Sequence, residues 1–135
     1  MQGRITMPQV LIPVPLNSLR LRKRGFNQAQ FITKGLSHLL SVNGNTRLCK
    51  RKGYQVSQQG QTRWQRQSSL REVFQVKKSE VGRGTNHIAI IDDVMTTGAT
   101  TQALSQSLIK AWNGPLEIQV CCIARTQSFN TKLDW

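Results

Sequence analysis

The segment His87–Leu104, HIAIIDDVMTTGATTQAL, restricts this chain more than any other. A short apolar run leads into two adjacent carboxylates, Asp92 and Asp93. A small, hydroxyl-rich turn with one glycine follows, then apolar residues at helical spacing. The run reads as a buried strand over His87–Asp92, with a loop at 93–98. A helix is expected over Ala99–Trp112, with Ala103, Leu104, Leu108, Ala111 and Trp112 on its apolar side and Asn-Gly-Pro stopping it.

The rest of the chain supplies similar pieces. Val10–Val14 is a short apolar run closed by prolines and reads as a strand. LNSLRLRKRG is expected to be a basic loop. Phe26, Ala29, Ile32, Leu36, Leu39 and Leu40 recur at helical spacing, so a helix over about 26–41 is expected, closed by Asn-Gly-Asn. TRLCKR, EVFQV and LEIQVCCIA are further strand candidates. Lys52–Gln67 is polar and aperiodic, longer than about 12 residues, and reads as a mobile lid. The tail after Arg125 reads as loosely ordered. Alternating strands and helices argue for one α/β domain with a mostly parallel sheet flanked by helices, whose ligands bind beyond the carboxyl ends of the strands. Asp92 and Asp93 stand at such an end.

At 135 residues the chain suits a single core. It has no run of about 18 apolar residues that would span a membrane. The N-terminus shows no apolar stretch followed by a small-residue cleavage site, so a cytoplasmic location is expected. Cys49, Cys121 and Cys122 match no zinc-ligand spacing and read as reduced structural thiols, and His38 and His87 as ordinary residues. The net charge is +13 and uneven: residues 1–83 carry +14 and residues 84–135 carry −1. The acidic pair therefore lies in the near-neutral half, facing a polybasic one. That balance fits either a solvated surface or a polyanionic partner, nucleic acid or a polyphosphorylated small molecule.

Two adjacent carboxylates can accept hydrogen bonds from a vicinal diol or approach a divalent metal. Thr96, Thr97, Gly98, Ala99 and Thr100 are small enough to wrap backbone N–H groups around a phosphate at a helix start. A diol beside a phosphate describes a ribose 5-phosphate. A strand end with two solvated acids and a helix cap is the plainer alternative. The chain has neither G-x-x-x-x-G-K-[ST] nor G-x-G-x-x-G, which argues against a P-loop ATPase and a dinucleotide fold. A receiver-type domain would carry its paired acids near its start.

IAIIDDVMTTGATTQAL resembles the phosphoribosyl-pyrophosphate (PRPP) signature of type I phosphoribosyltransferases. IPVPLNSLRLRKRGFNQAQFITKGLS resembles the ComF branch, the competence-associated and GntX-like relatives. A weaker match falls on Gln58, Arg66, Leu70 and Phe74. Together these matches cover about residues 10–125. There are two departures: the paired cysteines of the family's N-terminal zinc ribbon are missing from this sequence, and Ser69 stands where the family's lid has Asn.

The resemblance implies a type I phosphoribosyltransferase-like fold with a mobile lid. It assigns Asp92 and Asp93 to the ribose hydroxyls as catalytic residues, and Thr96, Thr97, Gly98, Ala99 and Thr100 to the 5-phosphate. It assigns Arg20, Arg22 and Arg24, with Lys23 among them, to pyrophosphate. Arg63 and Arg66 would act from the lid. Mg²⁺ would be carried by PRPP rather than held directly by the protein. Trp64 is a candidate to stack on an acceptor or to pack on its own domain, and Phe26 and Phe74 read as core. The candidate partners are PRPP, single-stranded DNA or the competence machinery, and a second copy of the chain. The competing functions are phosphoribosyl transfer, PRPP binding without transfer, and association with single-stranded DNA through the basic half.

Overall fold

A computed structural model describes residues 6–16, 18–52, 74–82, 84–95 and 97–126, with the backbone alone for 18–20. Its elements are β1 (Val10–Pro13), α1 (Ser18–Arg24), α2 (Gln28–Leu40), β2 (Asn43–Gly44), β3 (Cys49–Arg51), β4 (Phe74–Val76), a 3-10 turn (Lys78–Glu80), β5 (His87–Met95), α3 (Ala99–Ala111) and β6 (Glu117–Arg125). The main sheet runs β2-β1-β5-β6 with every pair parallel. The architecture is α/β, a mostly parallel sheet flanked by helices.

β5 needs a continuous apolar run because both its faces are covered. Ile88 and Ile90 pack with Ile12 against Leu104, Leu108 and Trp112 of the α3 segment. Ala89 and Ile91 pack with Leu11 and Val42 against Ile32 and Leu36 of α2. The start of β5 is pinned by Gln9. Its Oε1 accepts from the N–H groups of Asn86 and His87 at 2.8 and 3.0 Å, while its own N–H donates to the His87 carbonyl at 2.9 Å. The Trp112 indole N–H donates to the Thr85 carbonyl at 2.7 Å, which ties the end of α3 to the same corner.

Several expectations change. The basic stretch after β1 is helical over Ser18–Arg24, not a loop; leucine, arginine and lysine are all good helix formers. α2 starts at Gln28 because the Asn27 side chain caps it, and ends where Ser41 turns left-handed at φ 54°. Asn43 and Gly44, expected only to close that helix, form a parallel edge strand on β1. Within TRLCKR only Cys49–Arg51 is a strand, and it pairs antiparallel with Phe74–Val76 in a separate two-stranded sheet. Phe74 is core as expected, but Phe26 is 54% exposed. Burial pushes the Cys49 thiol up to about 12, so it is an inert packing group. Cys121 is exposed instead of packed. The expected lid, with Trp64, and the tail from 127 lie outside the described residues.

Ile90 is fully buried at the centre of the sheet. Ile90→Ala is expected to cost about 2–5 kcal/mol in a denaturant titration followed by circular dichroism. Leu39→Ala, on the 77% exposed rim of α2, should cost less than about 0.5 kcal/mol.

Candidate functional site

The carboxyl edge of the sheet holds the candidate site. β5 continues as strand to Met95, so residues 93–95, expected to be loop, are extended and pair with β6 at Val94↔Ala124 and Met95↔Arg125. Of the expected loop, 97 and 98 are the described residues that remain outside strand and helix. Both carboxylates are held by local backbone bonds. Each carboxylate folds back on the next backbone N–H, Asp92 Oδ1 accepting from Asp93 at 2.9 Å and Asp93 Oδ1 from Val94 at 2.8 Å. Burial first, then the hydrogen bond and the charge of Asp93, hold the Asp92 carboxyl above the usual carboxylate range. Two half-buried acids so placed gain from an incoming pair of hydroxyl donors or a cation.

The turn then delivers the start of α3. Gly98 is the N-cap at φ 80°, a left-handed conformation that glycine adopts at little cost, and no side-chain hydrogen bond caps the helix there. Thr97 Oγ1 accepts from the Ala99 N–H at 3.3 Å, and the Thr101 hydroxyl donates to the Gly98 carbonyl at 3.0 Å. Thr97 and Ala99 are exposed and Thr100 half-buried, so this turn is open to a ligand. N–H groups at a helix start have no intrahelical acceptor and favour an anion. Thr96 lies outside the described residues.

The first strand meets the site from the side. Pro13 is the register partner of Ile91, and the Val14 N–H donates to the Ile91 carbonyl at 2.9 Å. Asn27, which sequence reasoning passed over, braces the connection between β1 and α2. Its Nδ2 donates to the Val14 carbonyl at 3.1 Å while its Oδ1 caps α2. An asparagine just ahead of a helical repeat was the available signal. Arg22, Lys23 and Arg24 are exposed in the last turn of α1. The Arg20 side chain, Arg63 and Arg66 lie outside the described residues. A small depression of about 120 Å³ opens here, lined by Pro13, Pro15, Leu16, Leu21, Asn27, Gln30 and Thr46. It is well below the roughly 300–1,000 Å³ that enclose a drug-sized ligand, so it accommodates part of one. Among the described residues no three His, Cys, Asp or Glu side chains group as a metal site. No helix among them is long and apolar enough to cross a membrane.

The chain is 34% identical over 121 residues to competence protein F of Haemophilus influenzae, covering 90% of this chain and 52% of that protein. It is 31% identical over 122 residues to DNA utilization protein YhgH of Escherichia coli, with the same coverage. It is 32% identical over 106 residues to competence protein ComFC of Bacillus subtilis, covering 75% of this chain and 38% of that protein. The chain thus spans about half the length of the first two. No family model matches it, and no solved structure matches it.

Two substitutions test the local physics. A Cβ on Gly98 would meet nothing nearer than 3.8 Å, so Gly98→Ala should cost about 1–2 kcal/mol from backbone strain alone, read by denaturant titration. The Asp92 carboxyl titrates higher in the folded chain. Its ionised form therefore lowers stability above the unfolded value of about 3.9, fully so above the folded value. Asp92→Asn should stabilise the unliganded chain at neutral pH by less than about 1 kcal/mol, given solvent screening. The difference should fade as the pH falls to about 3.

Proposed function

We propose that this chain, a relative of the ComF competence and DNA-utilization proteins, is a type I phosphoribosyltransferase-like module. It binds PRPP at the carboxyl edge of β5 and transfers the phosphoribosyl group with release of pyrophosphate. One observation carries the reading: two adjacent, half-buried carboxylates stand near the carboxyl end of β5, a few residues ahead of a glycine-capped, exposed helix start. Diol-accepting and phosphate-accepting groups therefore stand next to each other in the order that a ribose 5-phosphate requires.

In this reading Asp92 and Asp93 accept hydrogen bonds from the ribose hydroxyls and hold the ring. Thr96–Thr100 present hydroxyl and backbone N–H donors to the 5-phosphate. Transfer breaks the bond from C1 to the pyrophosphate oxygen, which leaves with the electron pair, and forms a bond from C1 to the acceptor. The carboxylates lie near the positive character that develops on the ribose ring. Arg22, Lys23 and Arg24, with Arg20, suit the pyrophosphate. Arg63 and Arg66 would close over it and keep water from the reacting carbon. Mg²⁺ bound to PRPP would neutralise the leaving pyrophosphate. The close Asp92–Asp93 pair, with Asp92 held above its usual range, is compatible with such a neighbouring cation.

A second reading rests on the basic half. Its exposed Arg22, Lys23 and Arg24, together with the name DNA utilization protein carried by one relative, support contact with single-stranded DNA along that face. This reading does not need the acidic pair.

Calorimetry with PRPP and Mg²⁺ tests the proposal. The parent chain is expected to bind, and Asp92→Ala/Asp93→Ala to lose about 10–100-fold in affinity, the scale of charged hydrogen bonds. No binding by the parent would overturn it. Binding without pyrophosphate release over a panel of bases and amines would leave a PRPP-binding relative that performs no transfer. Single-stranded DNA affinity with a steep salt slope, unaltered by the double substitution, would support the second reading.

A further inference from the structure

β6 is one edge of the main sheet among the described residues, and the longer one. Over nine residues, Glu117–Arg125, it pairs only with β5 among the described residues. Parallel sheets are normally covered on both faces, and a long apolar edge is a liability that proteins blunt with charge, proline or bulges. EIQVCCIAR carries none of these between its first and last residues. Ile123 is 71% and Val120 42% exposed, and Cys121 is exposed. The register explains why. Gln119 and Cys121 lie beside Ala89 and Ile91, but the α2 cluster over those two residues ends at β5.

The charges point to the occupant. The strand has one acid at its start and one base at its end, with seven uncharged residues between them. Two copies related by a two-fold axis would pair their β6 strands antiparallel. With Cys121 opposite Cys121, Glu117 of each copy falls opposite Arg125 of the other. A shift in either direction breaks both ion pairs. We infer that β6 is the interface of a symmetric homodimer, in which two four-stranded sheets join into one through antiparallel β6–β6 pairing centred on Cys121. The joined edge satisfies the free backbone groups and merges the open Cys121 and Ile123 faces of both copies. The carboxyl edges of the two sheets then point in opposite directions, so the candidate sites stay apart.

This register is testable because opposed antiparallel residues have Cα atoms about 4.5–5.5 Å apart, within disulfide reach. Added diamide, the oxidant, would take up the two electrons and two protons lost as two Cys121 thiols form one S–S bond. The parent and Cys122→Ser are expected to give a covalent dimer on non-reducing gels, and Cys121→Ser to give none. In sedimentation the parent should be dimeric and Ile123→Lys monomeric with unchanged circular dichroism. Glu117→Arg should weaken the dimer several-fold, and adding Arg125→Glu should restore it. A parent that stays monomeric across its concentration series overturns the inference. If the β6 amides that point away from β5 are then protected from hydrogen exchange, the edge is covered by the chain's own residues outside the described ones instead. A dimer that neither crosslinks through Cys121 nor responds to the charge swap overturns the register.

Discussion

The burial of β5 on both faces, with parallel pairing on both edges, is the constraint on which the rest depends. Ile88 and Ile90 hold α3 on one side, and Ala89 and Ile91 meet α2 on the other. Backbone pairing to β1 and β6 fixes how far the strand projects. Because the next residues after that core are Asp92 and Asp93, packing energy from the interior holds two acids in a half-buried position they would not adopt unaided. The cost appears in the raised Asp92 carboxyl. A site with such unmet demand for donors is ready for a ligand that supplies them.

The charge pattern complements this. Most of the positive charge lies in residues 1–83, while the acids of the site lie beyond them. β1 brings the two halves together, since Pro13 sits beside Ile91 and α1 begins a short connection later. Asn27 stabilises that connection at both ends through its carbonyl and its amide. In the proposed reading, a polyphosphate or a nucleic-acid backbone would meet the exposed cations and a sugar the carboxylates. The depression between β1, α1 and α2 adds a small, partly apolar corner.

The other border of the same sheet is chemically opposite. There the strand is apolar and, among the described residues, paired on one side only, with one charge of each sign at its ends. Its exposure has the same origin in cover: α2 spans β1 and β5, α3 occupies the opposite face, and neither lies over Cys121 and Ile123. An edge of this composition in water calls for a partner strand.

Much of the architecture was legible in local patterns. The continuous apolar run of β5, the helical spacing of Leu104 and Leu108, and the alternation of elements determined an α/β chain with a largely parallel sheet and put Asp92 and Asp93 towards the carboxyl end of a strand, though that strand runs on to Met95. Those signals survive because they reflect burial, which is written in residue type at short range. Other features depended on partners distant in sequence. β5 runs on to Met95 because β6 pairs with it; β3 leaves the main sheet because β4 pairs with it; Phe26 is exposed because no described element covers it. The helical state of the basic stretch was the exception, missed although its residues favour it. The way each carboxylate folds back on the chain likewise needed the backbone N–H groups of Asp93 and Val94 to be in place. Sequence alone determined which residues must be buried and which chemistry stands beside them. Only the tertiary structure decided where each strand stops and which edge stays open, because both are set by pairing and cover across the chain.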